Sequence, residues 1–114
     1  MMKRHKIIAV DFDGTLFTDA YPGVGKPIFE TIWRLEQEQQ AGARIILWTN
    51  RSDGPLRAAI EACNEQGIFF DAVNENLPDV IEHFGSNPRK VFANEYWDDR
   101  TIHMSHLRHP DHKE

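Results

Sequence analysis

A single cysteine, Cys63, in a chain of 114 residues excludes any intramolecular disulfide and fits a reducing, cytoplasmic setting. No apolar run approaches the ~20 residues that cross a bilayer. The basic start, Met1-Met2-Lys3-Arg4-His5-Lys6, leads into a short apolar stretch that ends at Asp11, too little for the apolar region of a signal peptide. Positive charge is also scarce. With 13 Lys and Arg against 18 Asp and Glu, the net charge of -5 argues against broad, non-specific attraction to nucleic acid or anionic membrane. Internal repeats, linkers and low-complexity tracts are absent, and the length leaves no room for a second domain. The reading is one domain over 1–114, with a core of about 5–107 and a polar tail over 108–114. The apolar content of 40% is enough for one packed core.

The elements alternate. Ile7-Ile8-Ala9-Val10, mostly β-branched, reads as a strand buried on both faces and ended by Asp-Gly. Ile28, Ile32 and Leu35, with Phe29 and Trp33 beside them, predict a helix over about 26–40 with Pro27 in its first turn and Gly42 as its stop. A second buried strand is expected over 43–49 and a second helix from near Pro55 to Gly67. Leu56, Ala59, Ile60 and Cys63 share that helix's apolar face, which makes Cys63 a structural thiol. A third strand is expected over 68–73, a short helix from Pro78 to Gly85, and a last strand over 91–97. Strands separated by helices pair in parallel, so the fold class is a small three-layer α/β sandwich with a mainly parallel, Rossmann-like sheet.

Three strand ends then converge on one sheet edge. Asp11 and Asp13 leave the first strand, Thr49, Asn50 and Arg51 the second, and Asp98, Asp99 and Arg100 the last, with Lys90 just upstream. Crowded carboxylates repel unless a cation, a shared proton or substrate compensates. Oxygen ligands of this kind suit Mg²⁺ and a phosphoryl group. An attacking carboxylate must be ionised and an acid catalyst must hold a proton, so Asp11 and Asp13 need opposite environments. Trp48 and Trp97, each preceding a site residue on a strand, are expected to turn away from the site into the core.

Asp11-Phe12-Asp13-Gly14-Thr15, Thr49, Lys90 and Asp98-Asp99 resemble, in order and spacing, the four motifs of the haloacid dehalogenase-like phosphohydrolases. The resemblance spans residues 7 to 100. It implies a Mg²⁺-dependent phosphomonoester phosphatase in which Asp11 takes the phosphoryl group, and Asp13 protonates the leaving oxygen and then activates water. By the same resemblance Thr49 hydrogen-bonds the phosphoryl oxygens and Lys90 neutralises charge. Asp98 binds Mg²⁺ with Asp11 and the backbone carbonyl of Asp13, while Asp99 acts through a metal-bound water or through Lys90. Neither of the family's cap insertions fits between Leu16 and Ala43 or between Ser52 and Pro88, which implies a capless, open site. Such a site suits a large substrate or a lid borrowed from another copy of the chain. The segment 17–25 matches the family's flap, where Tyr21 either closes over the site or simply packs the turn.

A second similarity, to polynucleotide 3′-phosphatase domains, rests on Arg51 two positions after Thr49 and on Asp98-Asp99-Arg100-Thr101. It implies that Arg51 and Arg100 hold a second phosphate or a nucleotide backbone, since a guanidinium fork fits phosphate. A third reading is a non-catalytic module that binds phosphate or a protein partner through the same arginines. His103, His106, His109 and His112 recur every three residues, but that spacing drifts about 60° per step around a helix. The tail is therefore read as polar rather than metal-binding.

Overall fold

The computed structural model describes residues 5–102 and 104–107. Four strands form one all-parallel sheet in the order β3-β2-β1-β4: β1 (Ile7–Val10), β2 (Arg44–Leu47), β3 (Ala72–Val73) and β4 (Glu95–Trp97). Helices α1 (Phe29–Gln40), α2 (Asp53–Glu65) and α3 (Pro78–Phe84) connect them. The run Ile7 to Val10 is buried throughout, as its composition requires of a central strand. Alternation sends Ile8 and Val10 to one face, where Ile32 and Leu35 of α1 and Ala59 and Cys63 of α2 cover them. Ile7 and Ala9 face the other way, against Leu77, Val80 and Val91. Helices thus cover both faces of the sheet. No helix among the described residues is long and apolar enough to cross a membrane.

Several expected boundaries shift, each for a visible reason. Helix α1 starts two residues after Pro27, because Pro27 pairs with Phe17 in an isolated bridge and the Ile28 N–H donates to Leu16. Phe29 and Trp33 lie on its exposed face. Strand β3 is shorter than expected because Asp71 Oδ2 accepts the Ile45 N–H at 2.8 Å, a side chain standing in for ladder backbone. In β4 the same substitution occurs at Asn94, whose Oδ1 accepts the Ile7 N–H at 2.7 Å. Trp48 and Trp97 pack against the two cores but stay only half-buried. The third helix runs as expected and ends on Gly85 in the left-handed conformation at φ 73°. Cys63 is buried in the core, and that burial pushes its thiol up to about 12. After β4 the chain forms a 3-10 turn, Met104–Leu107, in which His106 is exposed. His103, His109 and His112 lie outside the described residues.

Candidate active site

Strand order reverses between β1 and β4, since β2 and β3 build outward on one side of β1 and β4 joins the other. Such a switch point opens a crevice at the strands' carboxyl ends. Asp11 and Asp98 stand there, one residue beyond β1 and β4, joined by the Asp11 N–H donating to the Trp97 carbonyl at 2.9 Å. The turn after Asp11 folds over the Phe12 carbonyl, which accepts from Thr15, Leu16 and Phe17. Gly14 makes that turn at φ 81°, a conformation that disfavours side chains with a Cβ. The Thr15 hydroxyl accepts the Asp99 N–H at 3.1 Å and fixes the Asp98-Asp99 pair against the turn.

One carboxylate oxygen from each of Asp11, Asp98 and Asp99 lies within 4.8 Å of the others. No lysine or arginine among the described residues forms an ion pair with these acids. The donor set is all oxygen, which fits a hard divalent cation. Burial first, and then the charges of Asp98, Asp99 and Asp13, push the Asp11 carboxyl up to about 6, against a backbone hydrogen bond from Phe12 that pulls it down. Without a cation, therefore, Asp11 keeps its proton to a higher pH than an ordinary carboxyl, which works against the ionised form an attacking carboxylate needs.

That environment has a consequence for stability. The folded state binds the Asp11 proton more tightly than an unfolded chain whose carboxyl titrates near 3.8, so Asp11 favours folding fully only below about pH 4. Its contribution is lost as pH rises to about 6 and stays lost above. In chelator, the Tm of Asp11→Asn should gain on that of the unaltered chain across this window. Parallel melting curves at every pH would contradict the assignment.

Asp13 is not part of the acidic group. Its carboxylate takes a two-point fork from Arg51, Nε to Oδ2 at 2.9 Å and Nη2 to Oδ1 at 2.8 Å. Arg51 is buried, and its remaining N–H groups donate to the carbonyls of Pro22, Gly23 and Pro55. All five guanidinium donors are committed. This corrects the expectation that Arg51 binds a phosphate, because no donor is left for one. Two of the carbonyls that claim it lie in the loop after Tyr21 and the third in the first turn of α2, and a backbone carbonyl has no side-chain signature, so nothing in the sequence marks them.

The cleft over this edge encloses about 630 Å³. Asp11, Asp13, Thr49, Asn50, Asp98 and Arg100 line it as expected. Asp19 and Asn74 line it too, without having been expected, and so does Trp48, which alternation alone assigned to the core. Asn74 adopts φ 55° and accepts the Thr49 N–H on its side-chain oxygen, which sets Thr49 at the rim. The Thr49 hydroxyl accepts the Arg51 N–H at 3.1 Å, leaving its own hydrogen for a ligand. Arg100 forms no ion pair among the described residues and is the cleft's cation open to an anion. Lys90 does not line the cleft. Its ammonium lies 6.0 Å from the centre of the exposed Tyr96 ring and forms no ion pair with the acids among the described residues.

No family model matches the chain, and no curated protein does. A solved structure does match, that of a conserved protein coded by locus from Bacteroides thetaiotaomicron. It is 39% identical, with a TM-score of 0.76, over 87% of this chain and 79% of that one. The chain belongs to the family of that conserved protein. Membership speaks to the fold shared over most of both chains, and the chemistry rests on the side chains gathered at the switch point.

Proposed function

We propose that this chain is a capless member of the haloacid dehalogenase-like hydrolases, a Mg²⁺-dependent phosphomonoester phosphatase working through an aspartyl-phosphate. The observation that carries the reading is the separation of two aspartates two residues apart. Asp11 sits in an unpaired acidic group, whereas Asp13 turns away to a guanidinium. One turn thereby presents two carboxylates in different surroundings: a cation among the acids would favour the ionised Asp11 that attack needs, and the Arg51 fork holds Asp13 in one orientation for proton transfer. The capless part is supported by the connections, since β1 and β2 are joined by a loop and α1 alone, and β2 and β4 by α2, β3 and α3.

In the first step an Asp11 oxygen attacks phosphorus and the bond to the ester oxygen breaks, that oxygen taking a proton from Asp13. In the second, Asp13 takes a proton from water as the water oxygen attacks phosphorus. The bond to Asp11 then breaks and inorganic phosphate leaves. The Thr49 hydroxyl and the Arg100 guanidinium would orient the phosphoryl oxygens. Asp11, Asp98 and Asp99, with the Asp13 backbone carbonyl, would hold Mg²⁺, whose charge favours ionised Asp11 and offsets that of the phosphate. The commitment of Arg51 removes one of the two arginines on which a nucleic-acid-end substrate rested, so small or protruding phosphate esters fit the cleft better.

Hydrolysis of a nitrophenyl phosphate should need Mg²⁺, stop in chelator and resume when Mg²⁺ is restored. Silence on aryl, alkyl and nucleotide 3′-phosphate esters by folded protein would overturn the reading. Mg²⁺ should also raise Tm, and Asp98→Asn should weaken that response roughly tenfold or more in Mg²⁺ concentration. An identical titration for the variant would remove Asp98 from the metal set.

A further inference from the structure

The Arg51 side chain is 1% exposed, and a guanidinium that deep is tolerable only with its donors met. The groups that meet them come from three separate pieces of chain. Asp13 belongs to the turn after β1, Pro55 to the first turn of α2, and Pro22 and Gly23 to the loop whose Tyr21 lines the cleft. The guanidinium also lies 4.8 Å from the Phe12 ring centre and 5.2 Å from that of Tyr21.

This loop closes at its base, where the Thr18 N–H donates to the Lys26 carbonyl and the Lys26 N–H to the Thr18 hydroxyl, both at 2.8 Å. Farther out, the Tyr21 N–H donates to Asp19 and the Gly23 N–H to Ala20, both inside the loop. Among the described residues, every hydrogen bond joining 19–24 to the rest of the protein comes from Arg51. Lifting the loop would leave Nη1 and Nη2 each short of a partner in a buried position, and Nη2 is also half of the fork on Asp13.

We propose that Arg51 is a positioning residue through which the 18–25 loop and the Asp13 carboxylate are set as one unit, so that the proton carrier is aimed only while the loop is seated. The proposal rests on the reading of Asp13 as the group that protonates the leaving oxygen. A fork on both carboxylate oxygens fixes the plane of the group and leaves each oxygen a further lone pair for proton exchange. A lysine, with one ammonium in place of a planar fork, cannot hold the carboxylate and two loop carbonyls in the same geometry.

The dependence on leaving group separates this role from a merely structural one. A nitrophenolate departs without a proton, whereas an alkoxide needs one. General acid catalysis contributes typically 10²- to 10⁴-fold, so Arg51→Lys should lower the single-turnover rate of leaving-group release from an alkyl phosphate by about 100-fold or more. For the nitrophenyl ester the loss in that step should stay below about tenfold, whereas breakdown of the aspartyl-phosphate, which also uses Asp13, should slow by the same factor whichever ester formed it. Amide hydrogen exchange over 19–24 should accelerate in the same variant. Should Arg51→Lys fail to fold, Thr18→Val, which removes the side-chain half of the closure at the loop's base, should reproduce the larger loss on alkyl esters more weakly. Equal losses of leaving-group release on both esters in whichever variant folds, or unchanged exchange over 19–24, would overturn the proposal. Silence of the unaltered protein on both esters would instead sink the phosphatase reading, and this inference with it.

Discussion

Asp11→Asn loses phosphate release by on the order of 10⁴-fold or more while melting no lower than the unaltered chain in chelator at pH 7 to 8. The first half follows from chemistry, since an amide oxygen is too weak a nucleophile to form the covalent intermediate, and losses of this size accompany removal of a nucleophile elsewhere. The second half follows from the site. Asp11 is half-buried among like charges, so its ionised form is disfavoured by the fold that holds it, and a neutral amide relieves that conflict. A dead yet undiminished protein marks a position where stability was yielded to function. Steady-state assays with Mg²⁺, paired with melting curves in chelator, provide the check. Retained turnover would remove Asp11 from the nucleophile's place, and a sharply lowered Tm would show its carboxylate to be a structural acceptor instead.

Gly14→Ala damages both the fold and the acidic group. An L side chain in the left-handed region costs about 1–2 kcal/mol, and Gly14 sits there at φ 81°. The added Cβ would also run into the Asp99 carboxylate, which lies directly over the glycine. Either the turn must move, and Asp11 and Asp13 with it, or Asp99 must leave the group. Tm should fall by roughly 5–10 °C, and the Mg²⁺ needed for half-maximal activity should rise at least tenfold. Thermal melts and a Mg²⁺ titration of activity read the two effects separately. A variant that matches the unaltered chain in both would mean that the turn tolerates a side chain and that Asp99 is dispensable.

Much of the fold was legible because its central strands carry strong patterns. Ile7 to Val10 and Arg44 to Leu47 are nearly continuous apolar runs, and both became inner strands of the sheet. The edge strands were legible in place but not in length. Asp71 and Asn94 offer side-chain oxygens to backbone donors, an exchange that apolar patterning cannot register. The acidic group was readable because Asp11 and Asp98 follow directly on strands that pair with each other. The placements of Arg51 and Lys90 were not legible, for a common reason. Their destinations depend on backbone carbonyls and on the path of an irregular segment, and a long flexible side chain carries little information about where it ends. Phe29 and Trp33 show the same gap on a helix, where the apolar stripe is wider than the face the sheet buries.

Asp11 and Asp98 follow neighbouring rungs of a parallel ladder, with the Asp11 amide still bonded to the Trp97 carbonyl. The spacing between their stems is thus a property of the backbone, close to the ~4.8 Å interval at which all strands lie. If the acidic group holds a cation, a fixed gauge of this kind would limit the radii that fit, with little help from loop sequence. Exchanging side chains at the rim would then retune what the cleft admits while leaving that fit intact. Shifting that fit would require slipping β4 against β1, a change that would reverse which of its side chains face the core.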